Sequence, residues 1–247
     1  AVGKAFAGTC PVRGHSNEQG DRSVGIMHYV SKGLNQKIQE HLNFDPPTEK
    51  GYDTVEAIEA MHEKKAKVFI CLGGNFVMAA SDTKYTAEAV QNCELTVQIS
   101  TKLNRSHLIT GKTALVLPTF GRSEKDEKNG ELQFLTMESS TGKVRQSKGL
   151  LRPASEHIKS EPEIIALLAH TYFRGNHSMN WYELGQDYNL IRKLIDKTVK
   201  GFENTSERSK GFGYYLPNNV RNRDFRMLPN RSEERRVGKE CMTWGGG

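Results

Sequence analysis

The cluster best suited to chemistry is Thr9-Cys10-Pro11-Val12-Arg13-Gly14-His15-Ser16-Asn17-Glu18-Gln19-Gly20-Asp21. It gathers an arginine, small residues and amide side chains where no apolar periodicity calls for a helix or a strand. Glycines let backbone approach a ligand closely, and a guanidinium fork with amides recognises planar or anionic groups. The residues alone leave two readings open: a ligand-binding loop, and a structural loop whose arginine is solvated. Other constellations drop out. Gly111-Lys112-Thr113 ends like a phosphate-binding loop, but Ser106 stands where its first glycine belongs, and a strand follows where a helix should begin. There is no GxGxxG, no HExxH and no GxSxG, so nicotinamide binding, zinc hydrolysis and a serine-nucleophile elbow lack support.

The elements that must position such a loop read as α/β. Asp53 caps a helix with Glu56 closing a capping box, and Val55, Ile58 and Met61 form its apolar stripe. Val68–Leu72 is a continuous apolar run, the pattern of a strand buried on both faces of a parallel sheet, and it ends in Gly73-Gly74-Asn75. A short helix over Asp82–Val90 leads to a second strand, Leu95–Ile99, and a further short segment to a third, Ala114–Leu117, halted by Pro118. This wiring predicts a parallel, doubly wound sheet with ligands beyond the carboxyl ends of the strands, which puts Gly73-Gly74-Asn75 and Ser100-Thr101-Lys102 on that rim. A charged loop over 123–129 then precedes a hairpin, Leu132–Met137 and Lys143–Gln146, joined through Ser140-Thr141-Gly142. Ser160, Pro162 and Glu163 open a helix with a capping box and a stripe of Ile164, Leu167, Leu168 and Tyr172. A second helix carries Leu190, Ile191, Leu194 and Ile195, and 201–230 reads as loop or linker.

With 247 residues, 36% of them hydrophobic, the chain is long enough to bury a core of one large or two modest domains. No apolar run approaches the roughly 18 residues a membrane span needs. The N-terminus has no initiator Met and no signal peptide, so the expectation is a truncated chain. Cys10, Cys71, Cys93 and Cys241 show no metal-ligand rhythm and imply reduced, cytoplasmic thiols. The net charge of +6 is spread without the aromatic-interleaved basic stripe that nucleic-acid binding needs. The one dense basic cluster lies in Arg231–Cys241, RSEERRVGKEC, which matches the translation of a common short-read sequencing adapter, so 231–247 is expected to be an artefact.

Five segments in order, CPVRGHSNEQGD, the Gly-Gly-Asn after a strand, VQISTKLNRSHLITG, the LP-x-x-GRSEKD stretch and GFGYYLPNNVRNRDF, resemble the formate-dehydrogenase-like molybdopterin oxidoreductases. The match spans essentially residues 1–230. The resemblance implies a parallel doubly wound half-domain of the formate dehydrogenase/DMSO reductase-type fold, plus a small β-hairpin and helices. It implies molybdenum or tungsten held by molybdopterin guanine dinucleotide, with the metal ligand upstream of the matched region and no metal ligand in this chain. The family's 4Fe-4S motif, where a member has one, also lies upstream, and a β-barrel that completes the cofactor site lies beyond Asn230.

Residue by residue, the resemblance places Arg13 at the metal, orienting a small-molecule substrate such as formate or a similar anion, and puts His15 where the family often carries an amide. Gly14, Asn17, Gln19 and Gly20 match loop positions near the pterin dinucleotide. Gly73, Gly74 and Asn75 match the loop that approaches its pyrophosphate or guanosine, and Gln98, Ser100, Thr101 and Lys102 match guanosine contacts. Read without it, the bland alternatives are a tight turn at Gly73-Gly74, the lesser reading there, and a solvated Lys102. Cys10 falls beside the arginine loop and not at the ligand position. The implied division is 1–30 substrate and cofactor loop, 31–122 dinucleotide-binding α/β region, 123–152 hairpin, 153–200 helices, and 201–230 linker towards the barrel. The implied protein exchanges two electrons with a redox partner, and a fragment of it is not expected to act alone. The alternative is a nucleotide-binding α/β module without redox activity.

Overall fold

The computed structural model describes residue 12 and residues 17–217, so Cys10, Arg13, Gly14, His15, the 218–230 segment and Cys241 lie outside the described residues. The expected helix-free loop turns helical at its end. Asn17 adopts a left-handed conformation and opens α1 (Glu18–Ser23), whose Gly20 is buried. An unexpected helix follows, α2 (Lys32–Leu42), capped by the Ser31 hydroxyl.

The α/β region has the expected order. α3 (Thr54–His62) has the capping box foreseen at Asp53: its carboxylate accepts from Val55 N and Glu56 N, and the Glu56 side chain accepts from Asp53 N. Ile58 and Met61 are buried, whereas Val55 points to solvent and leaves the stripe. β1 (Val68–Leu72) leads through α4 (Phe76–Ala79) and α5 (Thr83–Gln91), capped by Asp82, to β2 (Leu95–Ser100), and β3 (Thr113–Pro118) follows a 3₁₀ turn at Arg105–Leu108. The three strands are parallel, in the order β1-β2-β3, with Val68 opposite Leu95 and Leu95 opposite Thr113.

Two expectations need correction. The sheet is not doubly wound within the described residues: strand order never reverses, and α3, α4 and α5 lie on one face while α6 reaches the other through Ile164. On the first face Ile58, Met61, Val77, Ala89, Val90 and Cys93 form the core, with Phe69 packed against it. On the other face Ile164 joins Val97 and Ile99, with Leu95 and Leu117 packed against them. In consequence β1 is not buried on both faces, since Val68, Ile70 and Leu72 are exposed. The cause lies in the crossovers. The β1–β2 connection supplies helices, but the β2–β3 connection supplies only the 3₁₀ turn and brings nothing to the second face.

Beyond Pro118, the expected charged loop contains a hairpin of its own, β4 (Glu127–Lys128) and β5 (Glu131–Leu132), turned by Asn129 and Gly130, both at positive φ. Such an Asn-Gly pair is the preferred two-residue hairpin turn. The foreseen hairpin is β6 (Leu135–Glu138) and β7 (Lys143–Ser147), antiparallel, with Gly142 at positive φ in its loop. α6 (Glu161–Phe173) starts at Ser160, whose hydroxyl accepts from Glu163 N. Glu163 does not close a capping box, because its carboxylate accepts from Lys128 and Lys159 instead. On α6 only Ile164 of the expected stripe is fully buried, and Leu168 and Tyr172 are exposed. α7 (Trp181–Gln186) and α8 (Tyr188–Thr198) follow, and α8 packs on α2. Over 201–217 the supposed linker forms elements: α9 (Thr205–Arg208) precedes β8 (Tyr214–Tyr215), which adds a third strand beside β7.

Candidate functional site

At the carboxyl end of β1 the chain turns through Gly73 (φ 69°) and Gly74 (φ 75°), a conformation glycine adopts at little cost. Gly73 N donates to Ile99 O at 2.8 Å, tying the turn to the end of β2. Among the described residues, a Cβ at either glycine would meet nothing within 4 Å, so what the turn presents to them is open backbone. The Cys71 thiol lies against Gly73 O at 3.0 Å, and burial pushes its pKa up.

The residues after β2 close over this turn. Asn104 donates its amide to Gly74 O at 2.8 Å and accepts from Ser106 N at 2.9 Å. The buried Ser106 hydroxyl accepts from Val77 N at 3.0 Å and donates to Asn75 Oδ1 at 2.7 Å. One hydroxyl therefore caps α4 and orients Asn75. Gln98, buried on β2, donates Nε2 to Ser106 O at 3.0 Å. His107 Nδ1 lies 3.0 Å from Asn104 N, from which it can accept, and 3.1 Å from Asn104 Oδ1, to which it can donate. Its Nε2 is buried and has no hydrogen-bond partner among the described residues.

The two strand-end segments expected on one rim therefore do meet there. Asn75, Thr101 and Lys102 are exposed, Gly73 and Ser100 half-buried, and Ser100 Oγ donates to Lys102 O at 2.9 Å. Gln98 is beneath the rim with its amide donor committed to Ser106, so it positions the turn instead of facing solvent. Asn104, Ser106 and His107 were missed as individual site residues. The Asn-x-Ser pattern before a strand was the available signal, because both side chains favour local capping of backbone.

Of the N-terminal candidates that are described, Asn17 lies against the hairpin: its Oδ1 accepts from Glu138 N at 2.9 Å and its Nδ2 donates to Asp21 at 3.2 Å. Gly20 packs so tightly on Asn17 that a Cβ would come within 2.2 Å of Oδ1. Gln19 sits one residue earlier on α1. Burial raises the pKa of Glu138, with the hydrogen bond from Ser23 Oγ opposing.

A second polar cluster joins the β4–β5 hairpin to α6 and α8. The Tyr188 hydroxyl donates to Asp126 and is hydrogen-bonded to Ser160 Oγ. Lys128 bonds Glu163 and lies 3.2 Å from Asp126 Oδ1, which lacks a partner of hydrogen-bonding geometry among the described residues. Burial, reinforced by Asp126, drives the Tyr188 pKa far above the usual phenol range. Nearby, Arg192 donates to Phe134 O at 2.7 Å and Ser206 at 2.9 Å while stacking on the Phe134 ring at 3.7 Å, and burial lowers its pKa to about 10. Every one of these groups is engaged within the protein.

No group of three or more metal-ligating side chains occurs among the described residues, and no helix there is long and apolar enough to cross a membrane. No family model matches the chain. It is 42% identical over 233 residues to a Mycobacterium bovis protein named an uncharacterized oxidoreductase, covering 94% of this chain and 30% of that protein. A Mycobacterium tuberculosis protein of the same description matches equally. The Escherichia coli protein YdeP is 36% identical over 218 residues, 88% of this chain and 29% of YdeP. The chain thus spans about 30% of the length of the curated relatives it matches, and the mycobacterial ones are named as oxidoreductases.

Proposed function

We propose that the chain is one region of a larger oxidoreductase of the formate-dehydrogenase-like molybdopterin type, and that its rim holds part of a molybdopterin guanine dinucleotide. The observation that carries this reading is the open Gly73-Gly74 turn, clamped by Asn104 and Ser106 beside the exposed Asn75, Thr101 and Lys102. The relatives named as oxidoreductases support the redox class.

The residues suit the group's nucleotide half. Backbone without side chains admits a pyrophosphate, Lys102 offers a cation to it, and Asn75 and Thr101 offer donors and acceptors to a ribose or base. The buried Nε2 of His107 is a further polar atom beside the turn. The cofactor itself supplies two-electron transfer when bound. The chain's part is to bind the nucleotide end, orient it and keep it fixed. Arg13, outside the described residues, is the substrate-orienting residue in this reading, and His15 its neighbour.

GDP, the nucleotide half of such a group, is the direct probe. Titrated into the 247-residue chain and followed calorimetrically, it should bind, ADP should bind more weakly, and Gly74→Val with Lys102→Ala should abolish the heat. Equal binding of ADP, or no binding of GDP, sinks the assignment of the rim. Where the longer protein is active, Arg13→Lys should keep pterin and metal content yet lower turnover by roughly 10²–10³, as for loss of one preorganised donor. Wild-type turnover with full cofactor would remove Arg13 from the active site.

A further inference from the structure

The parallel sheet has one covered face and one open one. In register across the open face lie Val68, Leu95 and Thr113, then Ile70, Val97 and Leu115, then Leu72, Ile99 and Leu117. Ile164 of α6 covers the β2 positions, but Val68, Ile70 and Leu72 remain 54%, 54% and 52% exposed and Leu115 48%. Scattered apolar residues on a surface are ordinary; a row of three along the edge strand β1, with Leu115 exposed on β3 across the covered β2, is an interaction surface. Parallel strands with such runs are those of sheets sandwiched between two helical layers.

We propose that this face seats a helical layer contributed by the rest of a longer polypeptide of which the chain is a region. Two facts select that occupant. The relatives match the chain over nearly its whole length but are about three times as long, so most of their polypeptide lies outside the matched region. The β2–β3 crossover, residues 101–112, holds only a 3₁₀ turn, so the sheet's own connections cannot supply the second layer. α6 marks where the layer begins: beyond Ile164 it carries exposed Ile165 and Leu168, and a helix apolar on more than one face is an internal one. A second copy of the chain is the competing occupant.

Thiol labelling decides between them. Cysteines introduced at 70 and 115, and at Val55 as an exposed apolar control on the opposite layer, are reacted with a maleimide and read by site-resolved mass spectrometry. In the 247-residue chain all three should label at similar rates, independent of protein concentration. In the intact Mycobacterium bovis relative, at the aligned positions, 70 and 115 should label at least about tenfold more slowly than 55, because labelling there requires local opening. Equal rates at the three positions of the intact protein overturn the proposal. So does protection in the 247-residue chain that grows with its concentration, which assigns the face to a second copy. Neither readout involves nucleotide binding, so the surface and the rim stand or fall separately.

Discussion

Residues 54–118 and residues 123–217 put their polar groups to opposite uses. In the first, hydrogen bonds hold an open turn at the sheet's end, leaving Gly73, Gly74, Asn75 and Lys102 with little above them. In the second, Asp126, Lys128, Ser160, Glu163 and Tyr188 are turned inwards and bonded to one another, and Arg192 is committed to Phe134 O and Ser206. Buried polar networks of this kind fix one arrangement of their elements, because a half-satisfied network is worse than none. The contrast separates a region shaped to receive something from one shaped to hold still.

If that contrast is right, substitutions in the second region should cost stability and those in the first should cost binding. The largest effect is expected at Arg192. Arg192→Ala removes a buried guanidinium stacked on Phe134 and leaves the Phe134 carbonyl without its donor, so urea unfolding should show a loss of roughly 3–5 kcal/mol. A change under 1 kcal/mol would mean the stack is incidental. Tyr188→Phe keeps the volume but strips Asp126 and Ser160 of a shared hydroxyl, and about 1–3 kcal/mol should go.

Asn104→Ala should behave differently, losing only about 1 kcal/mol of stability while weakening GDP binding disproportionately, since it frees Gly74 O and Ser106 N. If stability and binding fell together in Asn104→Ala and Tyr188→Phe alike, the distinction between the regions would fail.

The smallest effect concerns acid. Burial opposes ionisation of Glu163, but the bonds from Lys128 and Lys159 win and hold its pKa below the usual carboxylate range. A carboxyl depressed in the folded state contributes stability that is complete above the unfolded pKa and drains away as pH falls through the folded one. Glu163→Gln should therefore narrow the gap between unfolding curves at neutral pH and at pH values below the carboxylate range. Glu138, raised by burial, carries the opposite sign: its contribution is present in acid and lost as pH climbs through its folded pKa. An unchanged acid limb in Glu163→Gln would show that the lysines do not hold that charge.

Local chemistry made much of this architecture legible. Asp53 with Glu56, Asp82, Ser160 with Pro162, and the apolar runs of β1, β2 and β3 announced their elements because caps and burial patterns act within a few residues. Asn129-Gly130 carried an equally local signal for the β4–β5 hairpin, hidden inside a charged stretch. β8 was not legible, for Tyr214 and Tyr215 become a strand only by finding Lys143 and Val144 about seventy residues away. The rim was legible where glycines and strand ends marked it. Its clamp was not, because Asn104 and Gly74 are thirty residues apart and nothing local links them. The exposed flank of β1 misled for the same reason: an apolar run states what a strand needs, not which stretch of chain provides it.

That flank also bears on how the chain behaves in a crowded solution. Val68-Phe69-Ile70-Cys71-Leu72 is uncharged, rich in β-formers and placed at the edge of its sheet, the makings of a self-recognising segment. Immediately before it stand Lys64, Lys65 and Lys67, all exposed. Stacking identical strands in register would line up these three ammonium groups from chain after chain a few ångströms apart, so the lysines act as gatekeepers against fibril growth.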